Sequence, residues 1–201
     1  MTTDNGGAPC SYNSILTLAI CKPKIRATAE RDDWIVGFGG IDLAERLIYI
    51  AQVKEKLLDG KYYKKEEYYE RPDCIYRWNA ITQEYYWVNG KKYHADGLEL
   101  DHDLDNGKAW VLLSEKYTYF GNQGTPDYKM KYPELRKCIE SLRQGHRVNY
   151  PETLFNELRE LIQESIGLKI EGKPSDPGTC KVCNEIDGEI IESSCKLTKC
   201  V

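Results

Sequence analysis

Four cysteines close the chain in the pattern Cys180-x2-Cys183, eleven residues, then Cys195-x4-Cys200. Four thiolates in two close pairs suit a tetrahedral structural zinc site. The Asp187-Gly188 turn between them predicts a hairpin that sets one pair against the other. A tail this short buries no core, and in a reducing compartment metal is the staple open to it. The alternative is a tail whose cysteines hold no metal or pair by oxidation. The remaining cysteines, Cys10, Cys21, Cys74 and Cys138, are scattered.

Two further constellations carry chemistry. In "CKPKIR" (Cys21–Arg26) three cations crowd a proline turn, and downstream "GFGG" (Gly37–Gly40) brings bare backbone to a strand end. The glycine spacing is wrong for a dinucleotide fingerprint, and there is no phosphate loop. The stretch "KYYKKEEYYERPDCIY" (Lys61–Tyr76) interleaves tyrosines with lysines and an arginine, a mixture that suits base stacking beside a phosphate. For catalysis the ingredients are Cys21, Asp73, Cys74, His94 and His146, with no local nucleophile signature around them. "LELDHDLDNG" alternates aspartates as a calcium loop does. It then places Asn106 where glycine is needed and Leu112 where glutamate is needed, so it reads as a solvated acidic loop.

These residues need a frame. Short apolar runs bounded by turn residues predict strands at Ser14–Ile20, Asp33–Phe38, Arg46–Lys54, Ala109–Ser114 and Tyr117–Phe120. Asp73–Trp78 and Gln83–Val88 read as a hairpin, with an Asn-Gly turn signal after it. The period then becomes helical. Pro133 opens a helix with Leu135, Ile139 and Leu142 on one face, closed by Gly145. Pro151 opens another, with Leu154, Leu158, Leu161 and Ile162, ending at Gly167. Both are expected to pack on the sheet or cap its open end. "EGKPSDPGT" reads as a linker. The division is a domain over 1–168, a linker over 169–179 and the four-cysteine tail over 180–201.

The chain has 201 residues, a net charge of −4 and fifteen tyrosines against three phenylalanines. The acidic balance argues against sequence-blind gripping of duplex DNA, though not against a local basic pocket. No apolar run is long enough for a membrane span, and the N-terminus lacks a secretory pattern, so a cytoplasmic location is expected.

Six blocks in order, "GGAPC…LTLAICKPKIRATA", "DDWIVGFGG", "RLIYIAQVKEKL…YY", "DCIY", Tyr93-His94 and "VLLSEKYTYFG", resemble the nucleotide modification associated domain family of the second type. The resemblance covers roughly residues 4–150, with Asp32 standing where glycine is expected. The central blocks are also distantly similar to EVE and PUA-like domains. The resemblance implies an α+β fold, a small PUA/EVE-like mixed β-barrel with packed helices; the zinc-ribbon-like tail, read from its cysteine spacing, is an appendage outside the resemblance. It implies a modified nucleobase as ligand, in DNA or as a nucleotide, and DNA-modification enzymes as partners in bacterial or phage-infected cells. By this analogy Trp34, Tyr62, Tyr63 and Tyr76 stack on the base while Asp73 or His94 reads its edge. Lys22, Lys24 and Arg26 hold the phosphate, and Gly37 and Gly39 clear space for a planar ring. Two alternatives stay open: a transferase or hydrolase acting on such a base through Asp73, Cys74 and His94, or a protein that sequesters free nucleotides.

Overall fold

The computed structural model describes residues 4, 6–88, 104, 109–142, 145–168, 170 and 172–174. The most apolar run among them, "LIYIAQ", forms strand β4 (Leu47–Gln52), with Leu47 to Ala51 all buried. A strand buried on both faces sits at the centre of a sheet. β4 pairs antiparallel with β3 (Trp34–Phe38) on one side and β9 (Lys116–Tyr119) on the other. A second antiparallel sheet runs in the order β1 (Cys10–Tyr12), β2 (Ile15–Leu18), β8 (Val111–Ser114), β5 (Glu55–Leu57).

The two sheets share one ribbon. The chain passes from β4 into β5 and from β8 into β9, and the register is unbroken from Tyr49↔Tyr119 through Gln52↔Lys116 to Leu57↔Val111. Regular pairing is interrupted between Gln52 and Glu55, where Val53 N–H turns to Asp33 O and Lys54 N–H to Leu113 O. The core between the sheets comprises Leu16, Leu18, Ile35, Ile48, Tyr49, Ala51, Val53, Leu112 and Tyr119.

On the outer side of the β3–β4–β9 sheet lies a helical layer: α3 (Tyr128–Lys131), α4 (Pro133–Ser141) and α5 (Glu152–Ser165). Trp34, Val36 and Phe38, alternate residues of β3, pack on it. Leu135, Cys138 and Ile139 of α4 meet Leu154, Leu158 and Leu161 of α5, as the helical period predicts. α4 ends at Ser141 rather than at Gly145. Its orphan N–H groups are met by Glu157 of α5, which accepts from Leu135 N (2.6 Å) and Glu134 N (3.3 Å).

The expected basic turn after β2 is in fact a helix, α1 (Pro23–Thr28), with Pro23 in its first turn. Ile25 and the following Ala29 lie against the core between the sheets, so α1 plugs the end of that core. A third unit, α2 (Lys61–Lys64) and the hairpin β6 (Tyr76–Asn79)–β7 (Glu84–Trp87), covers the outer face of the β1–β2–β8–β5 sheet. The architecture is α+β: antiparallel sheets with few helices. Among the described residues no strand pairing closes the sheets into a barrel. No helix there is long and apolar enough to cross a membrane.

Candidate functional site

The end of β2 leads through buried Ala19 and Ile20 into two successive left-handed residues, Cys21 (φ 53°) and Lys22 (φ 50°). Side-chain-bearing residues hold this conformation at about 1–2 kcal/mol each, so something must brace the turn. Arg26 does. It is 1% exposed, and its Nε donates to Cys21 O (2.6 Å) while a terminal nitrogen donates to Trp110 O (2.9 Å). The arginine expected to meet a phosphate is instead the inner strut of the turn. Lys22 is half-buried and Lys24 exposed, and among the described residues no hydrogen bond or ion pair engages either ammonium. The Lys56 ammonium lies 5.3 Å from the centre of the Trp110 ring. It is itself held by Ala27 O (2.8 Å) and Glu30 (2.7 Å).

Beneath this turn the expected base-stacking tyrosines are core residues. Tyr62, Tyr63 and Tyr76 are fully buried, and they pack on one another and on Tyr68. The Tyr63 hydroxyl donates to Ala19 O (2.8 Å), just ahead of the Cys21 turn. Asp73, with no exposed surface, accepts from Tyr62 OH (2.7 Å) and from the Thr17 hydroxyl. Arg71 donates to Tyr62 OH (2.9 Å) and to the carbonyls of Tyr12, Cys10 and Ile15, and it stands 3.6 Å from Asp73. The network ties the segment after α2 to the β1–β2 hairpin. Among the described residues no buried side-chain nitrogen or oxygen lacks a partner.

Burial pushes the Asp73 carboxyl above its ordinary pKa, with Arg71 and the two hydroxyls pulling the other way. Burial likewise drives the Cys74 thiol up to about 12, against the pull of Arg77. That is opposite to the thiolate a nucleophile requires.

The remaining expected site residues lie elsewhere. A Cβ on Gly37 would stand 2.0 Å from Tyr49 Cε1, and one on Gly39 2.5 Å from Leu43 Cβ. The space cleared by these glycines is thus filled by the protein's own side chains. Trp34 faces the helical layer, with the Lys116 ammonium 5.0 Å from its ring centre. The structure therefore brings Lys22, Lys24 and Arg26 together above Tyr62, Tyr63, Asp73 and Tyr76, but leaves Trp34, Gly37 and Gly39 on the other sheet. His94 and Cys180, Cys183, Cys195 and Cys200 lie outside the described residues.

Residue types alone did not single out Trp110 or the hairpin platform. In β6 and β7 the pairs Tyr76↔Trp87 and Trp78↔Tyr85 place four aromatics on one face, a pattern legible from strand alternation. Trp78 and Tyr85 meet edge to face at 4.8 Å, with the Lys64 ammonium 4.2 Å from the Trp78 ring. Tyr85 reaches back to Asp59 O (3.3 Å), and Gly60 N–H bonds Ala109 O (3.2 Å), so the platform abuts the segment just ahead of β8, where Trp110 lies. Gly60 has φ +66°, and a Cβ there would strike the Tyr85 hydroxyl.

Comparison with curated proteins and with solved structures returned no match. A family model, nucleotide modification associated domain 2, matches residues 1–180, beyond both ends of the blocks that carry the sequence resemblance. By that match the chain belongs to the nucleotide modification associated domain 2 family.

Proposed function

We propose that the protein binds a modified nucleobase, in DNA or as a nucleotide, where Lys22 and Lys24 adjoin Trp110. The observation that carries this reading is the Arg26 strut. It holds a left-handed turn and the Trp110 backbone together, and so fixes the segment bearing Lys22 and Lys24, whose ammonium groups engage no partner among the described residues, against the segment bearing Trp110. Cations meet phosphate and the indole face meets a base, at ~1–3 kcal/mol per stacked base. Family membership supports involvement with modified nucleotides. In this reading Tyr62, Tyr63, Asp73 and Tyr76 form the rigid floor under the site, and His94 reads the base edge. DNA-modification enzymes are the working partners. The ribbon shared by two antiparallel sheets supports a PUA- or EVE-like ancestry for the scaffold. The Cys180, Cys183, Cys195 and Cys200 set is proposed as a structural zinc site.

The test is fluorescence anisotropy with oligonucleotides carrying 5-methylcytosine, 5-hydroxymethylcytosine or N6-methyladenine, beside unmodified controls. Trp110→Ala and a Lys22→Ala, Lys24→Ala pair are each expected to weaken modified-base binding about tenfold or more. Equal affinity for modified and plain DNA, or variants that bind as the parent does, would overturn the reading.

A further inference from the structure

The turn after α1 carries a second cationic feature. A cavity of about 170 Å³ opens at the interruption of the ribbon, lined by Arg31, Asp32, Gln52, Lys54, Glu115 and Lys116 together with Val53. Its three cations outnumber its two carboxylates, and its parts are held in place. Asp32 N–H bonds Val53 O (2.8 Å), Gln52 donates to Asp32 O (3.3 Å), and Asp33 accepts from Glu30 N (2.9 Å), so the turn bearing Arg31 is pinned to β4. Lys116 is positioned over Trp34, which supplies an indole beside the opening. Arg31 is exposed, and its guanidinium engages no partner among the described residues. Lys54 pairs with Glu115, but both are about half exposed, so an incoming anion competes with that pair at little cost.

This cavity lies at the C-terminal end of α1, while Lys22 and Lys24 lie at its N-terminal end. Six helical residues span about 9 Å. A free mononucleotide occupies one cluster, whereas a strand of a few nucleotides reaches both. Sequence-blind binding of duplex DNA is disfavoured by the net charge of −4. Two separate cationic spots, the second with Lys116 over Trp34, suit a single strand.

We propose that the cavity at Arg31, Lys54 and Lys116 is a second phosphate site, and that the ligand is a modified base within single-stranded DNA rather than a free nucleotide. The proposal rests on the reading that Lys22, Lys24 and Trp110 take the modified nucleotide. The strand crosses α1, with one phosphate at Lys22 and Lys24 and another at Arg31 and Lys116.

The experiment compares a labelled single strand of about twelve nucleotides, carrying one of the three modified bases named above, with the matching 5′-mononucleotide as competitor. Arg31→Gln and Lys116→Gln, singly and together, are measured with unfolding midpoints as a folding control. The double variant is expected to weaken strand binding about tenfold. It should also flatten the slope of log affinity against log salt by about 1.4, or ~0.7 per lost contact, while mononucleotide affinity stays unchanged. Intact strand binding by the folded double variant would remove the second site and leave the first standing. Equal loss for strand and mononucleotide would assign Arg31 and Lys116 to the primary site and overturn the proposal. If the unaltered protein binds neither ligand, the underlying reading falls and takes this inference with it.

Discussion

Replacing Arg26 with methionine separates a strut from a ligand contact. The side chain is 1% exposed and donates to Cys21 O and Trp110 O. Hydrogen bonds from a charged donor contribute roughly 1.5–3 kcal/mol each, and their loss leaves two carbonyls short of a donor. Methionine recovers part of the packing. The net expectation is a loss of about 3–5 kcal/mol, which lowers the melting temperature by about ten degrees or more in a domain of this size. Arg26→Lys, which keeps the charge but not the fork, should fall between. Urea unfolding followed by tryptophan fluorescence reads the effect. A second arm tests the cause: Cys21→Gly relieves left-handed strain of about 1 kcal/mol, and it should recover about that much in the Arg26→Met background. A cost below about 1 kcal/mol for Arg26→Met, or no recovery with Cys21→Gly, would refute the strut.

Gly37→Ala drives a methyl into the Tyr49 ring and should cost about 1–3 kcal/mol in the same unfolding assay, without changing ligand affinity at the α1 face. Asp4 is buried, and desolvation raises its carboxyl above the ordinary 3.8 despite the Tyr119 hydroxyl and Gly6 N–H. The folded state then holds the proton more tightly than the unfolded chain. Its stabilisation is full below 3.8 and is lost as pH rises through the higher folded value. Asp4→Asn should therefore flatten the fall in stability across that acid-side window, as followed by thermal melts at stepped pH. For the tail, metal analysis of the full chain against a Cys180→Ser, Cys183→Ser variant should show about one zinc lost per chain; equal, near-zero zinc in both would remove the site.

The sheet was legible where the run of residues was apolar and long. β3, β4, β8 and β9 fall inside the expected stretches, give or take a residue at the ends, because burial of consecutive side chains leaves a strong local mark. β1 and β5 are three residues each and carry no such mark; they are strands only because β2 and β8 supply partners. α1 was hidden by Pro23 and its flanking lysines, which read as a turn until Ile25 and Ala29 are seen to rest on the core. The site was half legible. The cations of "CKPKIR" do lie together, but burial decides their roles, and nothing local tells Arg26 from Lys24. Tyr62 and Tyr63 suggested a wet stacking surface by composition. Asp73, later in the same stretch, and Ala19 O, distant in sequence, satisfy their hydroxyls and let them sit in the core.

The unbroken register from Tyr49↔Tyr119 to Leu57↔Val111 also bears on how the chain reaches this state. Even the nearest rungs of that ladder join residues separated by the whole α2–β6–β7 excursion, so the ribbon cannot zip from a tight turn. Contacts this remote make folding slow, because the loop must close before pairing rewards it. The Arg71–Asp73 network offers a relay: it fastens the excursion to the β1–β2 hairpin, and β2 is the strand on which β8 assembles. Assembly of the scaffold then proceeds by way of the segment that lies beneath the proposed site.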